Sequence, residues 1–400
     1  MYLFKDLKVL DVGTWIAGPV STTILADFGA DVIKVEAPRS GDPFRNLSLS
    51  PMMPYADVNY TWMMDARNKR SITLNLKNDR GKEILKQMVE ECDVYVTNQP
   101  MRTRQNLGLT YEDLSPLNDK MIYASLTAYG EKGPESERKG FDAAAYWTRS
   151  GLADLVRFPG NPPSPPVPGM GDHPTAVALF GCIVMALYKR ALTNKGGEVS
   201  TSLLANGYWA NGCMGQAALV DGDFSVRRSQ HPESQPWMRA YYLTNDNRQI
   251  QLHMVRYGFE QDVLLDLLGL SHLLEDPRYQ STWSRLENSR SFSEELQKVF
   301  IQKSSVEWLE ILGKSGINVT RLATVEDMLN DEQALANDVL VDTPNDVDAP
   351  YLINSPLFGK DLDKVSPKRA PDMGEHTEQI LRNLGYDTDS INDLYRVGAI

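Results

Sequence analysis

Asp172 is the side chain whose setting most invites chemistry. It sits in the run Pro166-Val167-Pro168-Gly169-Met170-Gly171-Asp172-His173-Pro174, at the mouth of the apolar stretch from Ala176 to Tyr188. A carboxylate placed where a Gly/Pro loop turns into an apolar helix has two uses. It can cap the helix, with Pro174 in the first turn. It can also act in a cleft as a nucleophile. The positive end of a helix favours the ionised carboxylate, so an Asp kept anionic there is a ready nucleophile. No metal centre is expected beside it. The five histidines are far apart, and Cys92, Cys182 and Cys213 form no cluster with ligand spacing.

The elements that must position Asp172 follow from pattern. Lys8-Val9-Leu10-Asp11-Val12 reads as a strand, Pro19 to Gly29 as a helix ended by glycine, and Asp31 to Glu36 as a second strand stopped by Pro38. Ser71 to Leu76, Asp93 to Thr97 and Met121 to Leu126 read as further strands, with an amphipathic helix from Asp79 to Cys92. Such alternation predicts right-handed crossovers and a mostly parallel sheet, an α/β fold. Ligands of such sheets bind beyond the carboxyl ends of the strands, which puts the Ala17-Gly18-Pro19 turn at a binding position. That turn is not GxGxxG, so a dinucleotide is not indicated. A Pro/Gly loop from Arg157 to Gly171 precedes two predicted helices, Pro174 to Leu192 and Thr201 to Val220. Asp221 to Trp237 reads as a linker. Ala240 to Thr244 and Gln249 to His253 flank a turn and predict a hairpin. Helical segments then run to about Ser315, and the tail from Ser355 is extended, then helical.

Composition limits the partners. A net charge of −12 argues against nucleic acid, which needs a basic face. An anionic small ligand requires local basic residues, for which Arg39, Lys69, Arg70, Arg102, Arg104 and Lys139 are candidates. The run from Ala176 to Tyr188 is shorter than the roughly 20 residues that span a bilayer, so it reads as a core helix and no membrane partner is expected. The first residues carry no signal-peptide pattern. Scattered cysteines argue for a reducing, cytoplasmic setting.

Several segments, in order, resemble the family III CoA-transferases, the carnitine CoA-transferase and formyl-CoA transferase group. They are Leu7 to Val12 through Ala17-Gly18-Pro19 to Leu25-Ala26-Asp27-Phe28-Gly29-Ala30-Asp31-Val32-Ile33-Lys34-Val35-Glu36, then Gly41-Asp42-Pro43-Phe44-Arg45, then Asn68 to Lys77. Asp93 to Asn98 with Leu107-Gly108 follows, then Tyr129-Gly130-Glu131-Lys132-Gly133-Pro134 with Gly140-Phe141-Asp142. Gly169-Met170-Gly171-Asp172 and Gly374-Glu375-His376-Thr377-Glu378 with Leu381, Leu384, Gly385 and Tyr386 complete the set. The details lean toward members acting on 2-hydroxyacyl or aryl-lactyl CoA esters.

The resemblance implies a Rossmann-like large domain, a smaller α+β domain and an interlocked homodimer. The corresponding boundaries are 1–220 for the large domain, 221–325 for the small one and 326–400 for a segment returning to the large domain. It implies acyl-CoA and small carboxylic acids as substrates, with no tightly bound cofactor. Asp172 takes the nucleophile's position. Trp15, Ile16, Ala17, Leu74, Lys77, Asn98 and Lys139 carry over as CoA-binding positions. Two arginines of the family pattern are Ala37 and Asn106 here, with Arg39 two residues after the first and Arg102 and Arg104 upstream of the second. Asp142 matches a second carboxylate of relatives or caps a helix, and Tyr146 and Trp147 line an acyl pocket or the core. Amides of Gly169, Gly171 and the Ala17-Gly18 turn are candidate oxyanion donors.

Two other readings stand beside the transferase. An α-methylacyl-CoA racemase shares the fold and the aspartate but pairs it with a histidine in Gly-His-Asp, which is Phe141 here. A non-catalytic CoA-binding protein on the same fold is the alternative of another class.

Overall fold

The computed structural model describes residues 1–158, 160–225, 236–253 and 259–400. The described chain divides into two compact units, one of residues 1–156, 163–220 and 333–400, the other of 157–162 and 221–332. The expected linker, Asp221 to Trp237, lies largely outside the described residues, at 226–235.

The first unit is built on a six-stranded parallel sheet. Its elements run β1 (Lys8–Asp11), α1 (Ala17–Asp27), β2 (Asp31–Glu36), α2 (Tyr60–Asp65), β3 (Arg70–Thr73), α3 (Asp79–Glu91), β4 (Val94–Thr97), α4 (Met101–Leu107), α5 (Tyr111–Leu114) and β5 (Ile122–Thr127). A π-helix (Ala143–Thr148), α6 (Leu152–Val156), α7 (Asp172–Thr193), β6 (Gly197–Ser202), α8 (Leu203–Ala210) and α9 (Gly212–Leu219) follow. The strand order is β3-β2-β1-β4-β5-β6, all parallel. The order reverses between β1 and β4, which opens a crevice at their carboxyl ends.

Apolar side chains on both sheet faces explain the layers. On one face Leu10, Ile72, Tyr95 and Tyr123 pack on Ile84, Leu85 and Met88 of α3, together with Ile380, Leu381, Ile391 and Leu394 of the C-terminal helices 377–383 and 388–396. On the other, Val9, Val32, Val94 and Ile122 pack on Leu25 of α1 and on Leu179 and Ile183 of α7. The tail thus returns to the sheet, and Asn75 N donates to Ala399 O at 2.8 Å.

Two readings of the sequence change here. α7 is 22 residues, so it extends beyond the apolar run and is long and apolar enough to cross a membrane by length and composition. It instead packs one face on α1, β5 and β6. The predicted helix from Thr201 to Val220 gives way to β6 and two short helices. β6 is an edge strand whose polar residues, Glu198, Ser200 and Ser202, hide it from an apolar-run search. The two helices part at Asn211, whose side-chain amide is held by Ser150 O at 2.9 Å.

The second unit is α+β. β7 (Tyr241–Leu243) and β8 (Gln249–Leu252) form the predicted hairpin, and β9 (Val319–Arg321) adds antiparallel to β8. Its core gathers Trp237, Tyr242, Phe292, Phe300, Trp308 and Leu312.

Candidate active site

The loop after β1 rests on a buried ionic network. Asp11, Lys34 and Asp42 are all at most 1% exposed, and Lys69 is 5%. Lys34 Nζ lies 2.8 Å from Asp42 Oδ2 and 3.6 Å from Asp11 Oδ1, and donates to Gly13 O at 2.5 Å. Lys69 Nζ donates to Asp11 Oδ2 at 2.9 Å and to Pro19 O at 2.7 Å. Burial alone would push Asp11 up, but the two ammonium groups overcome it and hold the carboxyl below its usual range. Burial draws Lys34 down, yet Asp11 and Asp42 leave it above its ordinary value. Burial prevails at Lys69, which is lowered.

This network sets the backbone at Trp15. Asp42 Oδ1 accepts from Trp15 N at 3.0 Å, and Trp15 holds a φ of +64°, uncommon for a bulky residue. Asn98, after β4, accepts from Thr14 N at 2.9 Å and donates to Thr14 O at 2.6 Å. It zips the β1 and β4 loops together at the reversal of strand order. Phe141 stands edge-on to the Trp15 ring at 5.1 Å and is 58% exposed.

The start of α7 is fixed from both sides of Asp172. Gly171 is the N-cap residue and Asp172 the first helical position, so Asp172 does not cap the helix. Asp142 takes up the slack: it accepts from Gly171 N at 3.0 Å with one oxygen and from Ala143 N at 2.7 Å with the other. Of the two roles weighed for Asp142, the cap is the one these bonds make, and it sits against the Asp172 turn. The same bond engages the Gly171 amide, which leaves it unsuited as an oxyanion donor. Gly171 packs so closely on Tyr146 that a Cβ there would lie 2.5 Å from the ring.

On the other side, His173 Nδ1 meets Gly169 O at 3.0 Å and Nε2 meets Asp65 Oδ1 at 3.2 Å. Both ring nitrogens are therefore bonded to Gly169 and Asp65 and neither to Asp172. Burial would lower His173, but the Asp65 carboxylate raises it to about 9.

The ionisation of Asp172 corrects the expectation of a readily anionic group. Burial and, after it, the nearby Asp142 push its carboxyl up to about 7, partly opposed by His173. Among the described residues, no hydrogen-bond partner holds the Asp172 carboxylate.

A cleft of about 1140 Å³ lies at the carboxyl ends of β1, β2 and β3. Gly13, Thr14, Arg39, Leu74, Lys77 and Lys82 line it, and Gly374 and Ile400 close it from the C-terminal segment. Arg39 and Lys77 offer cations to an anionic ligand, and Lys82 lines the cleft with its ammonium 2.9 Å from Asp79 Oδ1. Thr14 lines the cleft, and Ile16, two residues on, borders the turn before Asp172. A Cβ at Gly169 would lie 3.7 Å from Ile16 Cδ1. Ala17 opens α1, whose first amides have no partner within the helix.

Not every expected residue joins this cleft. Arg104 is 1% exposed, donating to Gln99 O at 2.9 Å and to Glu131 at 2.5 Å. Its guanidinium is committed to the protein interior. Lys139 is exposed and does not line the cleft. Lys69 and Arg70 are paired with Asp11 and Asp31. Asp65, Asp42, Lys34 and Lys82 were missed. Lys82, on the first turn of α3 beside Lys77, had a local signal; Asp65 had none, being 108 residues from His173 in sequence.

Comparison with known proteins adds the following. The sequence model of CoA-transferase family III matches residues 4–377. The chain is 31% identical over 393 residues to (R)-2-hydroxy-4-methylpentanoate CoA-transferase of Clostridioides difficile, covering 98% of each. It is 32% identical over 405 residues to cinnamoyl-CoA:phenyllactate CoA-transferase of Clostridium sporogenes, covering 98% of this chain and 96% of the relative. A CAIB/BAIF family protein from Brucella suis superposes with a TM-score of 0.82 at 28% identity, over 95% of this chain and 98% of that one.

Proposed function

The chain belongs to CoA-transferase family III, and on that premise we propose that it moves coenzyme A between an acyl-CoA thioester and a free carboxylic acid through a covalent intermediate on Asp172. The observation that carries this reading is the Asp172 carboxylate itself: first in α7, relieved of capping by Asp142, and held by no bond among the described residues. A group kept without a structural task in a half-buried position is suited to attack.

The carboxylate adds to the thioester carbonyl, the C–S bond breaks, and a mixed anhydride with CoA thiolate results. The thiolate then attacks the aspartyl carbonyl, forming an aspartyl-CoA thioester and releasing the first acid as its carboxylate. The acceptor carboxylate attacks in turn, and the same steps run in reverse to give the new acyl-CoA and free Asp172. One hard exchange is thereby split into easier ones. A thioester is exchanged for a thioester, so no metal or nucleotide is needed. CoA fits the long cleft, with Arg39 and Lys77 toward its phosphates and Trp15 to Ala17 leading its thioester end to Asp172.

The two similar relatives act on a branched 2-hydroxy acid and on aryl acids by name. The half-buried Trp15 and the exposed Phe141, edge-on to each other and each next to a motif residue of the site, support 2-hydroxy acids carrying branched or aryl groups. Exposed apolar side chains on α7 to α9, among them Met185, Tyr188 and Trp209, support a homodimer. Three unpaired thiols fit a reducing, cytoplasmic setting.

A panel of acyl-CoA donors and acids, read by mass spectrometry, tests the activity. CoA exchange that requires a free acid supports it. Exchange of the α-hydrogen with deuterated water in the absence of any acid would instead identify a racemase. Neither would identify a CoA binder.

A further inference from the structure

We propose that Asp65 is a positioning residue that acts on Asp172 through His173: it fixes the imidazole as a cation against Gly169, and that cation beside the nucleophile favours the ionised carboxylate. This rests on Asp172 being the nucleophile.

The hydrogen bonds require the charge. A carbonyl only accepts, so Nδ1 must donate to Gly169 O. A neutral ring protonated there would turn the bare Nε2 lone pair toward the Asp65 carboxylate, 3.2 Å away. With Asp65 ionised, only the doubly protonated ring satisfies both partners. The surroundings are built to hold it. Asp65 is 5% exposed, and its backbone carbonyl is anchored to α1 by Thr23 Oγ1 at 2.5 Å. Gly169 has a φ of +80°, and a Cβ there would lie 2.6 Å from His173 Nδ1, so the turn before Asp172 closes around the ring.

The charges that act on Asp172 are Asp142 ahead of the π-helix, Asp65 on α2 and His173 on α7. Two are negative, and among the described residues His173 is the cation that opposes them. Lys69 acts on Asp65 electrostatically, but its ammonium is bonded to Asp11 and Pro19 O. Losing the His173 charge therefore leaves Asp172 against unopposed carboxylates. Losing Asp65 releases the ring proton but also removes one of those carboxylates, so its effect is smaller and has the same sign.

The test is the pH dependence of kcat/KM, whose acid limb reports Asp172 in the free enzyme. His173→Gln moves that limb to higher pH by on the order of one unit, about tenfold in rate on the acid side. Asp65→Asn moves it the same way by less, and Asp65→Glu restores it. Equal loss at every pH with an unmoved limb would overturn the proposal. A measurement on the unaltered protein guards against misfolded variants: by NMR the His173 ring titrates well above the ordinary range near 6.5, and titration near 6.5 overturns the proposal. Hydroxylamine trapping at Asp172 separates the two levels. A labelled Asp172 with an unmoved limb removes the role of Asp65 alone, whereas an unlabelled Asp172 removes the nucleophile and the proposal together.

Discussion

At neutral pH the Asp172 carboxyl sits in surroundings that oppose its charge, because burial and Asp142 raise it to about 7. The sign of the stability effect follows. A carboxyl raised above its unfolded value near 3.9 stabilises the fold while protonated, and that contribution is lost as pH rises through about 7. Asp172→Asn should therefore raise Tm at pH 8, with the gain fading toward pH 4, while activity disappears; thermal melts at the two pH values check it. Phe141, edge-on to Trp15, belongs to the same scale. Phe141→Ala should lower kcat/KM for aryl acids relative to short ones by up to roughly tenfold, the worth of one aromatic contact, measured by competition between two acids. The sequence made Asp172 legible because a Gly/Pro loop, an acid and an apolar run are adjacent. It did not make Asp65 legible, because its partner is remote in the chain. Nor did it reveal that Asp142 relieves Asp172 of capping, which is a contact across 29 residues.

The elements around the site are held by charge as much as by apolar packing. Lys34 is 1% exposed between Asp11 and Asp42 and also holds the Gly13 carbonyl. Lys34→Met leaves two buried carboxylates short of a cation and should cost about 3–5 kcal/mol, read as a shift in urea midpoint. Gly171→Ala pushes a methyl against the Tyr146 ring. It should lower kcat by at least roughly tenfold, as misplacement of reacting groups does, while the circular dichroism spectrum is retained. The first five strands were legible because each carries β-branched or aromatic residues in a short run followed by a helical pattern or a turn. β6 was not, since an edge strand pairs on one side only and tolerates Glu198 and Ser200. The buried lysines were also hidden: Lys34 and Lys69 look like surface charges until the sheet brings Asp11 between them.

For the molecule as a whole, the ordered motifs carried the family assignment, and the return of the tail to the sheet was foreshadowed by Gly374 to Tyr386. The parallel order could only be expected in outline, because strand neighbours depend on crossovers that no local pattern encodes. The exposed apolar side chains of α7 to α9 are the basis of the proposed dimer. Light scattering should give twice the chain mass of 44.9 kDa, and Trp209→Glu, at a side chain 85% exposed, should shift it toward one. The central claim remains covalent attack by Asp172. Its direct test is peptide mass spectrometry after incubation with hydroxylamine, with and without acyl-CoA. An aspartyl hydroxamate is expected at Asp172 when acyl-CoA is present and none in its absence. Transferase turnover with Asp172 unmodified, or undiminished turnover by Asp172→Asn, would contradict it.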